Sequence, residues 1–319
     1  MVCRCAWRSS KWSSKVVAVR GLSNLSREHR QTIPLENARL VAREEFPGEQ
    51  FVLRLEAPRC ATRATPGSFV HLQCDDDIPM RRPLSIMRAN AGAGWIDVLF
   101  KIVGPGLAAL SRRKIGDELS VLGPIGHGFT LDPSRPRALM IGGGVGIPPM
   151  VYLAEEIYIR QGISNAIAWQ PMVLMGSEIP FPFKSRPSTI MAPGMPDGVI
   201  AAMPLLDGWS IPSRLASKSG YPGCFDGFVT ELADAWLHST NKAMLAQTQI
   251  YACGPTPMLA ATAGLAKKYG LPCQVSLEEF MACAVGGCAG CTVKVQTADG
   301  PAMKRVCVDG PVFEASQVF

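Results

Sequence analysis

A chain of 319 residues, 47% hydrophobic and 18% charged, has enough apolar material for two or three cores and too much for a mainly disordered protein. No apolar stretch runs for the ~20 uninterrupted residues of a bilayer-spanning helix, so no membrane association is expected. The net charge of +6 does not mark a nucleic-acid-binding body: residues 1–30 hold Arg4, Arg8, Lys11, Lys15, Arg20, Arg27 and Arg30 against Glu28, seven minus one, and the rest is formally neutral.

Residues 1–36 therefore read as a basic leader. They lack the apolar run of ~7–15 residues of a secretory signal, and an Arg/Ser-rich, acid-poor composition fits a transit peptide or, as expected here, an extension without fixed structure. Eleven cysteines in a long chain without a secretory signal point to a reducing compartment, the cytoplasm, rather than to a disulfide scaffold.

From 37 to 134 the chain reads as short strands between turns: ARLVAREEF, QFVLRLEAP, GSFVHLQC, RPLSIMRA, GWIDVLFKIV and ELSVLGP. Such spacing predicts a small antiparallel β-barrel. Near residue 135 the texture changes to an apolar strand, a glycine turn and a helix on which Val151, Ala154, Ile157 and Tyr158 can share a face. That opens an α/β domain with a parallel sheet, expected over 135–272, with PMVLMG and QIYAC as further strands. The Pro-rich tract 177–222 resists regular elements and reads as an insertion, and 273–319, beginning with the strand CQVSLEE, reads as a small third domain.

That last segment carries the most specific chemistry. Cys283, Cys288 and Cys291 follow C-x4-C-x2-C, and fifteen residues separate Cys291 from Cys307. Plant-type [2Fe-2S] sites have this order, three thiolates on one tight loop and a distant fourth. The residues between the first three are Gly, Ala and Val, which let a backbone wrap an inorganic core and aim amides at its sulfides. Thiolates are soft ligands, so iron–sulfur and zinc are the two tenants to weigh; zinc sites more often pair two short C-x2-C knuckles. The scattered Cys3, Cys5, Cys60, Cys74, Cys224, Cys253 and Cys273 read as small buried hydrophobes or free thiols.

Three further motifs suit phosphates. Arg82-Pro83-Leu84-Ser85, on a barrel strand, offers a guanidinium fork for a pyrophosphate and a hydroxyl for a flavin ring atom, and downstream Gly104 and Gly106 open a helix whose N-terminal amides can meet a phosphate. Gly142, Gly143, Gly144 and Gly146, followed by Ile147-Pro148-Pro149-Met150, lie between a strand and a helix, as a dinucleotide-binding turn does. Cys253-Gly254-Pro255-Thr256-Pro257-Met258 repeats the arrangement. Each alone is also ordinary turn chemistry. His29, His71, His127 and His238 form no metal spacing, and Asp75, Asp76 and Asp77 read as a solvated loop tip.

In this order RPLS, GGGVGIPPM and CGPTPM resemble the ferredoxin reductase superfamily, an FAD-binding barrel followed by an NAD(P)-binding domain. With FMACAVGGCAGCTVKV and KRVCVDGPVF the chain, over about 37–319, is similar to the electron-transfer subunits of class 1B dihydroorotate dehydrogenases. The resemblance implies FAD contacts from Arg82, Pro83, Leu84 and Ser85, from Leu99, Phe100 and Lys101, and from Gly106-Leu107, where the family has Gly-Thr. It implies NAD contacts from the glycines of the first turn and from Cys253, Gly254 and Pro255, and cluster ligation by Cys283, Cys288, Cys291 and Cys307. Electrons from dihydroorotate would reach an FMN in a separate catalytic subunit and pass through [2Fe-2S] and FAD to NAD+, in a heterotetramer of two subunits of each kind serving pyrimidine biosynthesis. No side chain of this chain need be catalytic, and Val285, Gly286 and Gly287 should be exposed or covered by the partner. The rival readings are an NAD(P)H-dependent flavin and iron–sulfur reductase subunit for another acceptor, and a zinc-containing dinucleotide-binding regulator.

Overall fold

Strands that turn apolar side chains to a shared interior build the N-terminal half. The computed structural model describes residues 33–164 and 166–319, so the leader, up to residue 32, lies outside the described residues. Strands β1 (Leu35–Phe46), β2 (Gln50–Glu56), β3 (Phe69–Leu72), β4 (Arg82–Asn90), β5 (Trp95–Lys101) and β6 (Glu118–Ile125) close into a barrel of order β1-β2-β5-β4-β3-β6. Every pairing is antiparallel. Side chains two apart share a face, so Leu40, Leu53, Leu72, Ile86, Val98 and Val121 all point inward and are fully buried. Short helices α1 (Pro58–Ala61) and α2 (Pro105–Ser111) fill two of the connections. The β4–β5 register slips between Ile86 and Arg88, and Met87 packs into the second core instead of the barrel's own.

The second half is built on β7 (Arg137–Gly143), whose run RALMIGG is apolar on both faces, as a central parallel strand requires. It leads into α3 (Ile147–Ile163), which begins with Pro148 and Pro149 in its first turn, where a missing N–H costs nothing. There follow β8 (Met172–Gly176), the two-residue strands β9 (Arg186–Pro187) and β10 (Ala201–Ala202), α4 (Pro204–Gly208), β11 (Ser213–Ala216), α5 (Val229–Ser239) and α6 (Lys242–Ala246). Then come β12 (Thr248–Cys253), α7 (Thr256–Tyr269), ended by Gly270 in the left-handed conformation, and β13 (Cys273–Ser276). The C-terminal segment adds the hairpin β14 (Thr292–Thr297) and β15 (Gly300–Arg305), α8 (Val306–Asp309), β16 (Val312–Glu314) and α9 (Ala315–Val318).

The main sheet has the order β11-β8-β7-β12-β13-β16, parallel except for antiparallel β16. Three features differ from the sequence expectation. Strand β13, read as the start of the cluster segment, is hydrogen-bonded to β12 inside the parallel sheet, and β16 from the cluster segment extends that sheet. The tract 177–222 is not all insertion, because β11 within it forms the sheet edge beside β8. Its polar residues hid it: Ser213 and Arg214 are buried, and the two terminal nitrogens of Arg214 donate to the main-chain oxygens of Ser213 and Ile190 while its Nε has no partner. On α3, Val151, Ala154 and Ile157 are buried as expected, while Tyr158 is exposed and stacks on Trp209 at 5.7 Å. Among the described residues no helix is long and apolar enough to cross a membrane.

Polar bonds join barrel and sheet. Arg88 of β4 donates through Nε to Glu155 of α3 at 2.9 Å, and its guanidinium lies over Trp95 and Trp209. The Tyr152 hydroxyl donates to the Ala64 carbonyl.

Candidate electron-transfer site

The cysteine loop is shaped by backbone conformations that side chains rarely adopt. Ala284 and Ala289, each directly after a cysteine, have φ of 57° and 55°, and Gly286 has φ of 80°. These turns bring main-chain N–H groups round to sulfur: the amide of Cys288 donates to Cys283 Sγ and that of Gly290 to Cys288 Sγ, both at 3.4 Å. A Cβ on Gly286 would sit 2.5 Å from a methyl of Val308, so only glycine fits there, and Arg305 donates to the Gly286 carbonyl at 2.9 Å. The Val306 amide donates to the Cys291 carbonyl, tying the loop to α8, which carries Cys307.

The four thiols come as two pairs. Cys283 and Cys288 are linked through the amide contact, and Cys291 Sγ lies 3.3 Å from Cys307 Sγ, a hydrogen-bond distance well beyond a covalent S–S bond. Burial pushes the Cys283 thiol up, but the amides of Val285, Cys288 and Gly287 and the Cys288 thiol outweigh it and bring it down to about 7. Burial and the Cys291 sulfur raise Cys307 to about 12, with Cys283 contributing through space. So four sulfurs feel one another, one end of the loop already favours thiolate, and amides point inward. Among the described residues no three His, Cys, Asp or Glu side chains converge on a single ion. Two pairs suit a two-iron core, with two protein thiolates to each iron, better than one tetrahedral zinc. Cys291 and Cys307 are buried, whereas Cys288, Val285 and Gly287 are exposed.

On the barrel, β4 places Leu84 and Ile86 inside, which turns Pro83 and Ser85 to the outer face. The Arg82 guanidinium lies against the start of α2, where a Cβ on Gly106 would be 3.0 Å from its Nε. Its Nη1 donates to the Met80 and Arg81 carbonyls, so Nε and Nη2 are the donors that lie beside the helix start, an arrangement that suits a pyrophosphate. The side chains of Leu84, Phe100 and Leu107 lie in the barrel core, so at these positions only main chain is open to a flavin. Phe100 stacks on Phe51 at 5.4 Å, and Leu99 faces the second core.

The two glycine turns meet at the C-terminal ends of neighbouring strands, since Gly142 on β7 pairs with Cys253 on β12. A Cβ on Gly146 would lie 2.2 Å from the Cys253 carbonyl oxygen, and one on Gly143 would lie 2.5 Å from Met258 Sδ. Gly146 is therefore required by backbone-on-backbone packing, whereas at Gly143 it is the flexible Met258 side chain that would have to yield. Gly144, with φ of 53° and nothing within 4 Å, is the one that leaves open space for a dinucleotide. Strand order reverses between β7 and β12, the switch point at which α/β sheets bind nucleotides.

Two residues of this region escape the sequence reading. Glu278, two residues beyond β13, is exposed, yet protein crowds its carboxyl enough to hold its pKa above the usual range. It acts through space on Cys253, whose thiol is pushed up first by burial and then by Glu278. Glu278 was findable as an acid at the C-terminal end of a parallel strand, had β13 been placed in the sheet. His71 is the second. Of the other acids and histidines weighed, Asp76, Asp77 and His127 are exposed, and Asp75 lies 3.8 Å from Arg113.

An antiparallel barrel with an arginine-bearing strand, a parallel sheet with paired glycine turns and a four-thiol loop together define an oxidoreductase subunit of ferredoxin reductase-like architecture. A solved NADH-dependent reduced ferredoxin–NADP oxidoreductase, studied for flavin-based electron bifurcation, shares the fold with a TM-score of 0.70 at 24% identity, covering 89% of this chain and 90% of that one. A ferredoxin reductase of carbazole 1,9a-dioxygenase superposes with a TM-score of 0.57 at 21% identity over 75% of this chain and 67% of its own. Residues 278–319 match the iron–sulfur cluster binding domain of dihydroorotate dehydrogenase B. The dihydroorotate dehydrogenase B (NAD(+)) electron transfer subunit of Desulforamulus reducens is 33% identical over 270 residues, 84% of this chain and 92% of the relative. That of Geobacillus thermodenitrificans is 33% identical over 289 residues, covering 89% and 98%. The chain belongs to this family of electron transfer subunits.

Proposed function

We propose that the chain is the electron transfer subunit of an NAD-dependent dihydroorotate dehydrogenase of pyrimidine biosynthesis, acting in the cytoplasm with an FMN-containing catalytic partner as a heterotetramer of two subunits of each kind. The observation that carries this is the two-by-two pairing of thiols, Cys283 with exposed Cys288 and buried Cys291 with buried Cys307, in a chain that also carries a closed barrel and a parallel sheet. When bound, FAD and NAD supply two-electron chemistry and a [2Fe-2S] cluster supplies one-electron carriage. Cys283, Cys288, Cys291 and Cys307 hold the cluster, and the loop amides offset the charge of the sulfurs. Arg82, with the amides of Gly106 and Leu107, holds the FAD pyrophosphate, and Ser85 with Pro83 presents the outer face of β4 to the flavin. The main chain of Leu84 and of Leu99, Phe100 and Lys101 completes that site.

The turn Gly142, Gly143, Gly144 and Gly146 and the facing Cys253, Gly254 and Pro255 receive NAD(H). The working division is a flavin barrel over 37–134, a nucleotide domain from 135, and a cluster segment after β13. Phe280, 94% exposed, and Val285, 49% exposed, flank the cysteines with apolar surface of the kind a partner subunit covers.

Anaerobic co-expression with a barrel-type FMN dehydrogenase is the test. The reading expects a yellow-brown complex with flavin and iron–sulfur absorption that reduces NAD+ with dihydroorotate, and loss of the iron–sulfur bands in Cys288→Ser. A Cys288→Ser protein with a full cluster spectrum, or colourless protein containing zinc, would overturn it.

A further inference from the structure

His71 occupies a position that neither cofactor site explains. Strand β3 sends Val70 and Leu72 into the barrel, so its alternate residues, Phe69 and His71, point outward. His71 is registered opposite Pro83, and Phe69 opposite Ser85, which places the imidazole on the same outer face as the flavin motif. An outward histidine should be wet. This one is 1% exposed, and the main chains of Met281 and Arg81 both lie close to its ring. Met281 is two residues from Cys283 in sequence.

Both ring nitrogens are buried, and neither completes a hydrogen bond. A buried ring donor left unsatisfied is costly, so a small approach of the loop that closes a bond is favoured. Burial first, and then the neighbouring Arg81 and Arg82 guanidiniums, hold the imidazole below its ordinary pKa, so the ring is neutral and carries one N–H.

We propose that His71 is a positioning residue for electron transfer: its ring N–H holds the Met281 main chain, and through it Cys283, against the flavin-bearing face of the barrel. The inference rests on the cofactor assignment above and adds the link that fixes the two sites relative to one another. Nothing is asked of His71 as an acid or base. It acts on distance.

The test uses the full chain carrying flavin and reconstituted cluster, mixed anaerobically with NADH in a stopped-flow instrument. In His71→Phe, which fills the volume without nitrogens, flavin bleaching should keep its wild-type rate while cluster reduction slows by about tenfold or more, within the range produced by ångström-scale misplacement. His71→Gln or His71→Asn, whichever places its amide at the occupied nitrogen, should restore most of the rate. A second readout needs no cofactor: in the metal-free chain, hydrogen exchange over residues 279–284 should quicken in His71→Phe while the barrel strands keep their protection, and this decides for any variant that loads no cluster. Wild-type transfer and exchange in His71→Phe, or equal slowing in the Phe, Gln and Asn variants, would overturn the positioning role while leaving the functional reading intact. A wild-type protein with no flavin or iron–sulfur spectrum would overturn both.

Discussion

Gly146 and Gly144 sit two residues apart in one turn and are glycines for different reasons. At Gly146 a methyl group would meet the Cys253 carbonyl at 2.2 Å, backbone against backbone, with no flexible atom to yield. At Gly144 the space is empty and only the φ of 53° resists a side chain. Gly146→Ala is therefore expected to lose about 3 kcal/mol in urea unfolding, at the upper end of overpacking costs, and to weaken NAD(H) binding because both turns shift. Gly144→Ala should lose only about 1 kcal/mol, the left-handed penalty, yet weaken NAD(H) binding out of proportion to its stability. Equal losses of binding and stability in both variants would mean that the nucleotide does not approach Gly144. The sequence displays four glycines as one motif, and the distinction appears only once β12 is placed beside β7, because the atom that excludes a Cβ belongs to a residue more than a hundred positions away.

At the scale of elements, β4 and α3 are joined through Arg88 and Glu155. The Glu155 side chain is 8% exposed, and its second oxygen, Oε2, has no partner. Burial raises its pKa more than Arg88 lowers it. A carboxyl whose folded pKa exceeds its unfolded value stabilises the fold most when protonated, below the unfolded value of about 4.3, and that contribution is lost as pH rises through the folded pKa. Glu155→Gln, which cannot ionise, should therefore gain on wild type as pH rises from about 4 toward neutrality in urea melts. Arg88→Met should cost about 3–5 kcal/mol at neutral pH, because it strands a buried carboxylate. If Glu155→Gln instead loses ground as pH rises, attraction to Arg88 outweighs burial.

The elements themselves were legible to different degrees. Six barrel strands could be read because inward Leu, Ile and Val alternate with polar residues. Strand β11 could not, since Ser213 and Arg214 are polar and buried, and β13 could not be assigned to its sheet because CQVS is apolar enough for any edge or centre. The cysteine loop was readable for a local reason: its ligands are close in sequence and its turns demand small residues. Glu278 and His71 were not, because each matters through a neighbour set by tertiary register.

The whole molecule is less modular than its motifs suggest. Strand β16 of the cluster segment pairs with β13 through Gln274–Glu314, Val275–Phe313 and Ser276–Val312. The Gly310 carbonyl accepts the His127 amide at 2.6 Å and the Pro311 carbonyl accepts the Leu277 amide at 2.9 Å, so the segment is bonded both to the sheet and to the loop that follows the barrel. Buried Phe313 and Ala315 complete the apolar cover. A chain cut after Leu277 would lose this cover and expose β13 as a bare parallel edge, a ready template for association. Such a truncation should melt well below the metal-free full-length chain, by about 2–4 °C for each kcal/mol lost, and should self-associate on size exclusion. Cys288→Ser supplies the control: its side chain is exposed on the loop, so loss of the cluster alone should leave the melting of barrel and sheet where the metal-free chain has it. If the truncated chain melts with the full-length one and stays monomeric, the cluster segment is an appendage. If it does not, the electron entry loop and the nucleotide sheet are one cooperative structure, and the spacing from cluster to flavin is fixed by the fold rather than by a linker.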